Sequence, residues 1–474
     1  MRSVVVPAVL ACLALGACAH VRTADVRLPA AYEAPKGVPA GAIDLDRWWL
    51  AFNDAELTGL VDQALAANPD ARSAAARLAE ARANRAEALV HFLPQGDITG
   101  STRRTDTKQL AGTVFNFPGF SSSGTSEASA VNFNASWEVD LFGRFFAARK
   151  AVNGDLAAAR FDYEGARASL AASVADAYFQ ARGLAIQLAD AQETVRIERE
   201  LYDSATKRAA VGIAATSDAD RVAGDLAQAQ AQAAGLEAEL QAQRRTILIL
   251  AGRTIEPTAN LAVDASVGQL PAVPAAIPSE LLKRRPDVRQ AEARVAAAAG
   301  RSETDVLAFL PTLDFTPGLG WQKQSQPGFS TTVRTVVTGG SFTQPLLSIP
   351  RLLAELKAQD ARTEQAVIAY EKAVQTAFSD SEGTLVRLDA DRRRVALLTD
   401  GEARAARAYK AAKLGYDRGL TDLQTALSAE QSWRATRSQL TAAQVQAFRR
   451  TVQAYKALGG GWPAERFTTQ AQAR

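Results

Sequence analysis

Over most of the chain apolar positions recur at helical spacing, but residues 130–144, AVNFNASWEVDLFGR, break that rule. Val131, Phe133, Ala135, Trp137, Val139 and Leu141 are apolar, and Asn132, Asn134, Ser136, Glu138 and Asp140 between them are polar. A period of two predicts a strand over about 130–141 with one apolar and one wet face. After Pro311, Leu313, Phe315, Leu319 and Trp321 alternate with Thr312, Asp314, Thr316 and Gln322, which predicts a second such strand over about 312–322. Residues 95–106 and 332–345 alternate less cleanly and are read as two further strands. The Gly/Ser-rich segment 117–129 suits a loop between strands.

The rest of the pattern is helical. No proline occurs between Pro118 and Pro257, or between Pro350 and Pro463. Helical spacing from about Phe145 to Val211 corresponds to roughly 100 Å at 1.5 Å per residue. Helices of ordinary globular domains are far shorter. The chain is expected to turn near Gly212 and return through about 218–250. The return helix and a shorter helix ending at Phe92-Leu93-Pro94 together span roughly 85 Å, close to the long helix. The pattern therefore predicts a tall cylinder of full-length helices flanked by pairs of shorter ones.

The plan occurs twice. At an offset of 217 residues (286 − 69), Pro69, Asp70, Arg72, Ala74, Ala76 and Arg77 match Pro286, Asp287, Arg289, Ala291, Ala293 and Arg294. Phe92-Leu93-Pro94 then matches Phe309-Leu310-Pro311. Further on, Arg144, Tyr163, Glu164 and Gly212 fall opposite Arg351, Tyr370, Glu371 and Gly419. This is an internal duplication. It divides the chain into a leader (1–17), an N-terminal extended segment (18–47), a first copy (48–256), a Pro-rich connector (257–277), a second copy (278–462) and a tail (463–474).

Composition narrows the function. The 474 residues are 47% hydrophobic and 22% charged with a net charge of +3, which gives no reason to invoke nucleic acid. Two His and two Cys leave little for metal or Cys/His chemistry, and His20 and His91 read as surface or interface residues. No nucleophile–base pair, phosphate loop or metal spacing is present, so neither catalysis nor a cofactor is expected. The N-terminus places Arg2 before a short apolar run resembling a signal peptide. Its end, Leu15-Gly16-Ala17-Cys18, resembles a lipobox, with Cys18 as the lipidated N-terminus. Ala19 stands where an Asp would favour inner-membrane retention, which points to the outer membrane. No later segment is apolar enough for a transmembrane helix, so any spanning must use strands.

RWWLAFNDAELTGLVDQALAANPD (47–70), SWEVDLFGR (136–144), the paired FLP segments and AYKALGGGW (454–462) together resemble the TolC-like outer-membrane factors of tripartite efflux pumps, in their lipid-anchored branch. The resemblance covers nearly the whole mature chain. It implies a mainly α protein with a small β part, a homotrimer whose protomers each give four strands to one outer-membrane β-barrel, and a periplasmic α-barrel. That tunnel would dock a periplasmic adaptor and an inner-membrane pump and conduct passively. Open sheet edges are not tolerated in lipid, and three protomers can close what one cannot. Val131, Phe133, Trp137, Val139, Leu313, Phe315, Leu319 and Trp321 would then face lipid, and Asn132, Asn134, Glu138 and Asp140 water. Trp137 and Trp321 are read either as headgroup-level girdle residues or as packing at the helix–barrel junction.

In the family, the turns between long and returning helices form the periplasmic aperture, lined by acids. That places Gly212 and Gly419 at the tip and Asp218 and Asp220 at the mouth, although Asp218 alternatively caps the returning helix. In the second copy Ser428 stands where the family has an Asp and Gln424 where it has a large apolar residue. Asp422 and Glu430 are the nearest acids there. Three other readings fit part of the pattern. A lipid-anchored periplasmic adaptor would share the anchor and helical hairpin but needs neither four strands nor a duplication. The channel of a protein secretion system would share the barrel, and a lipid-anchored hydrolase would lack a catalytic constellation.

Overall fold

The computed structural model describes residues 24–33, 44–112, 124–212, 215–266, 268–274, 278–279, 284–326 and 328–463. The leader, Cys18 and the tail beyond Pro463 lie outside them. Described elements run in the order α1 (Ala55–Ala67), α2 (Pro69–Val90), β1 (Gln95–Thr107), β2 (Gly124–Glu138), α3 (Arg144–Ala210), α4 (Thr216–Leu250), α5 (Pro286–Leu307), β3 (Thr312–Gln326), β4 (Phe329–Thr343), α6 (Ile349–Asp417) and α7 (Leu423–Ala457). The protein is mainly α with one four-stranded sheet, and the duplication is visible in element lengths. The helices α2 and α5 have 22 residues each, α3 and α6 have 67 and 69, and α4 and α7 have 35 each. Both 22-residue helices begin at Pro, whose missing N–H costs nothing in the first turn. Before Pro69, Asn68 accepts from the Asp70 N–H at 2.7 Å and donates to Leu250 O at 2.9 Å.

The chain forms two compact units, each built from both copies. One takes Ala79–Ala158 and Ala291–Tyr370; the other takes the described parts of Asp25–Leu78, Ala159–Gln290 and Glu371–Arg474. The first unit contains the antiparallel sheet, in the order β1-β2-β3-β4, so the central β2–β3 pairing joins the copies. Beneath it α3 and α5 meet through small residues. A Cβ on Gly154 would lie 2.6 Å from the Ala297 backbone N, and one on Gly300 2.5 Å from that of Ala151. Only glycine permits this approach.

In the second unit the segment around Trp48 packs against the last turns of α7 and the glycine-rich stretch after it. Trp48 stacks on Tyr455 at 5.5 Å, and Phe52, Phe179 and Phe448 surround them. Trp462 donates to Arg284 O at 2.8 Å and Tyr455 to Ala272 O at 2.6 Å, the latter pinning the Pro-rich connector. Near-complete burial of Trp48, Tyr178, Tyr455 and Trp462 makes this aromatic cluster the main hydrophobic anchor of the unit.

Three strands differ from their expected bounds. The strand placed at 130–141 runs instead over Gly124–Glu138, because Asp140 turns the chain out of the ladder to cap α3. Backbone pairing carries its start back to Gly124, opposite Thr107, through small polar residues without alternation. For the same reason β3 continues past 322 to Gln326, while β4 occupies 329–343 rather than 332–345.

Candidate functional site

The sheet carries its chemistry in its register. Cross-strand partners share a face. One face aligns Ile98, Phe133, Leu319 and Val336 in one row, and Gly100, Val131, Trp321 and Arg334 in the next. Toward the helices the same face continues as Trp137, Phe315 and Gly340, then Leu313 and Phe342. The opposite face aligns Thr99, Asn132, Gly320 and Thr335, then Asp97, Asn134, Gly318 and Val337, then Glu138, Asp314 and Ser341. From Leu313 to Trp321 the apolar band covers about 27 Å of strand, close to what a tilted outer-membrane strand presents to lipid. Beyond it the face turns polar, with Arg104 and Glu127 paired at 3.4 Å.

Val131, Phe133, Trp137, Phe315 and Trp321 are exposed, while Leu313 and Leu319 are half-buried. Val139 lies one residue beyond β2 and donates its N–H to Leu313 O at 2.8 Å. Ile98, Val336 and Phe342 are exposed on the same face and escaped the sequence reading. Their own strands do not alternate, and only the register reveals them. Both β1 and β4 are edges of this sheet, and even the smallest closed barrels of this kind have about 8 strands.

The strand-to-helix junction accounts for SWEVDLFGR. Trp137 donates its indole N–H to Phe92 O of the first FLP segment at 3.2 Å, which links β2 to the end of α2. The Asp140 carboxylate accepts from the backbone N–H groups of Phe142, Gly143, Arg144 and Phe145 at 2.8–3.3 Å. Burial acts to raise its titration, but these four donors outweigh that and hold it below the usual carboxylate range. Arg144 pairs with Glu138 at 2.8 Å and donates to Leu307 O and Leu310 O at 3.1 and 2.7 Å. One guanidinium therefore ties the first copy's strand to the second copy's FLP turn.

At the other end of the long helices, Gly212 and Gly419 both adopt left-handed backbone, φ +73° and +74°. Each stops its helix where a Cβ would be strained. The turns then diverge. Asp422 caps α7 by accepting from the Thr425 N–H at 2.8 Å, whereas Ala215 precedes α4 with no side-chain cap. Asp218 is thus not the cap. It sits in the first turn of α4, half-buried, with its N–H bonded to Ala215 O at 3.1 Å, and Asp220 is exposed nearby. Gln424 and Ser428 are exposed and bonded to each other, Nε2 to Oγ at 3.3 Å. Glu430 does not join them at the surface; it is buried against Arg434.

No helix among the described residues is long and apolar enough to cross a membrane. Residues 60–253 and 277–460 each match the family model described as outer membrane efflux protein. The chain is 30% identical over 447 residues to the pyoverdine export outer membrane protein OpmQ of Pseudomonas putida, covering 94% of both chains. It is 29% identical over 472 residues to the outer membrane protein OprJ of Pseudomonas aeruginosa, covering 96% of both. The solved structure of the outer-membrane channel OprN superposes with a TM-score of 0.79 at 28% identity, over 93% of this chain and 99% of that one. Because the family match falls once on each copy of the internal repeat and the likeness extends over nearly the whole chain, this protein belongs to the outer membrane efflux protein family.

Proposed function

We propose that this outer-membrane efflux protein works as a homotrimer, anchored by a lipidated Cys18, that conducts substrate passively from a periplasmic adaptor and inner-membrane pump to the exterior. The observation that carries this reading is a four-stranded sheet with one apolar face and two unpaired edges. In lipid such edges require partners, and two further copies supply eight strands to close the barrel. Native mass spectrometry in detergent should give three protomers, each with a modified Cys18 at its N-terminus. A stable monomer retaining full strand content would refute the closure argument.

The aperture follows from the same symmetry. Three copies of Asp218 and Asp220, with Asp422 beside them, would sum their fields at the mouth and favour cations. Gln424 and Ser428 make the second-copy turn the looser part of the seal. Planar-bilayer conductance should be cation-selective, less so in a combined Asp218→Asn, Asp220→Asn variant, and Ser428→Asp should tighten the gate. An unchanged reversal potential in the double variant would remove those acids from the path.

A further inference from the structure

Between the turns and the aromatic core, α3 and α7 are joined by two carboxylates and one guanidinium. Glu198 on α3 and Glu430 on α7 are each only 1% exposed. Arg434, on the next turn of α7, places Nη2 3.4 Å from Glu198 Oε1 and Nε 3.5 Å from Glu430 Oε1. Only the contact to Glu198 has hydrogen-bond geometry. Glu198 Oε2 and both oxygens of Glu430 are buried and accept no hydrogen bond. An ionised carboxylate with no donor is among the costliest groups to bury, whereas a protonated one is not.

The surroundings do not supply the missing charge. From α4 the cluster faces Asp225, another acid. From α6 it faces Tyr409, stacked on Trp433 of α7 at 5.2 Å, and Lys413, which is paired with Asp417 at 3.3 Å. Glu402 of α6 accepts from the Trp433 indole at 2.8 Å. With Glu198 and Glu430 both ionised, the contact would hold one net negative charge beside Asp225. Arg434 also lines a cavity with Asp190, Thr194, Gln232 and Arg437.

We propose that the α3–α7 contact is a proton-held latch, closed while Glu198 and Glu430 share one proton against Arg434 and loosened when that proton leaves. Burial, opposed by Arg434 and Lys413 and reinforced by Glu198 and Asp225, pushes Glu430 up to about 7, and burial raises Glu198 as well. The pair titrates as a unit. A carboxyl raised in the packed state binds its proton more tightly there than when solvated. Packing is therefore fully favoured below its usual value of 4.5 and weakens as pH rises through about 7. Relative to a solvated open state, the closed state should lose about tenfold in population ratio between pH 6 and pH 8. Glu430 lies about 10 Å along α7 from the turn, and Glu198 about 18 Å along α3, close enough for loosening to reach the aperture. That last consequence rests on the channel reading above; the latch itself does not.

Amide hydrogen exchange of the full assembled protein tests it. After division by the intrinsic rate at each pH, protection in residues 426–440 should fall about tenfold from pH 6 to pH 8. In Glu430→Gln and Glu198→Gln, which leave one carboxylate for one guanidinium, it should stay flat. A flat wild-type profile overturns the latch, as does an unchanged slope in either variant. Failure of both Gln variants to assemble also overturns it, since glutamine mimics the protonated acid that the latch needs. Bilayer conductance over the same range tests the channel reading separately. It should rise with pH in the wild type and not in the variants, and a pH-dependent exchange profile with pH-independent conductance would sink only the link to the aperture.

Discussion

The two copies of the repeat solve the same junction with different chemistry. At an offset of 207 residues (351 − 144), Trp137 corresponds to Gln344, and both donate a side-chain N–H to the carbonyl of the FLP phenylalanine. Trp137 reaches Phe92 O at 3.2 Å and Gln344 reaches Phe309 O at 3.0 Å. The geometry survived duplication although the residue did not. Around it the copies part. Asp140, with its four backbone donors, has Leu347 as its counterpart, an exposed apolar residue. Arg144 ties the two copies together, while Arg351 makes only an exposed pair with Glu355 one turn along its own helix. The same offset sets the capping Asp422 opposite the uncapped Ala215. A duplicated scaffold needs each restraint in one copy only, and its counterpart is then free to change.

The largest test of this asymmetry is the arginine pair. Arg144→Ala removes an ion pair and two carbonyl bonds from a mostly buried guanidinium and should cost roughly 2–4 kcal/mol in urea unfolding. Arg351→Ala should cost about 0.5 kcal/mol or less. Equal costs would end the claim that one copy carries the junction.

The cap comes next. Asp140→Ala should lose about 1 kcal/mol at neutral pH, and Leu347→Ala almost nothing. Because the Asp140 carboxylate titrates below its usual value of 3.8, its stabilisation is present above that value and lost as pH falls through the depressed one. The gap between wild type and Asp140→Ala should therefore close on strong acidification. A gap that stays constant to pH 2 would mean that the ionised carboxylate is not the cap.

The smallest effect lies at the turns. Ala215→Asp should stabilise the start of α4 by about 0.5–1 kcal/mol, seen as slower hydrogen exchange over its first turn. Asp422→Ala should fray α7 in the same measurement. If both substitutions act alike, the turns differ in something other than capping.

Much of this was legible because it is local or repeated. The long helices follow from the absence of proline and the sustained 3.6-residue spacing. The matched lengths follow from the PD and FLP marks, and the strand at Val131–Trp137 from its strict alternation. Ile98, Val336 and Phe342 were not legible, since their strands do not alternate and only pairing with Phe133, Leu319 and Leu313 puts them on the apolar face. Nor was the end of β2, which the capping by Asp140 decided.

By itself, then, the sequence determined the order of the strands and long helices, the span of the first long hairpin and one apolar face, because spacing and punctuation act within a few residues. Tertiary structure alone decided which side chains share a charge across helices. Glu198, Glu430 and Arg434 lie on faces whose burial depends on how α3, α4, α6 and α7 pack, and no local pattern distinguishes them from other helical acids on the chain. Their desolvation is a property of that packing, and so is the proton they are proposed to hold.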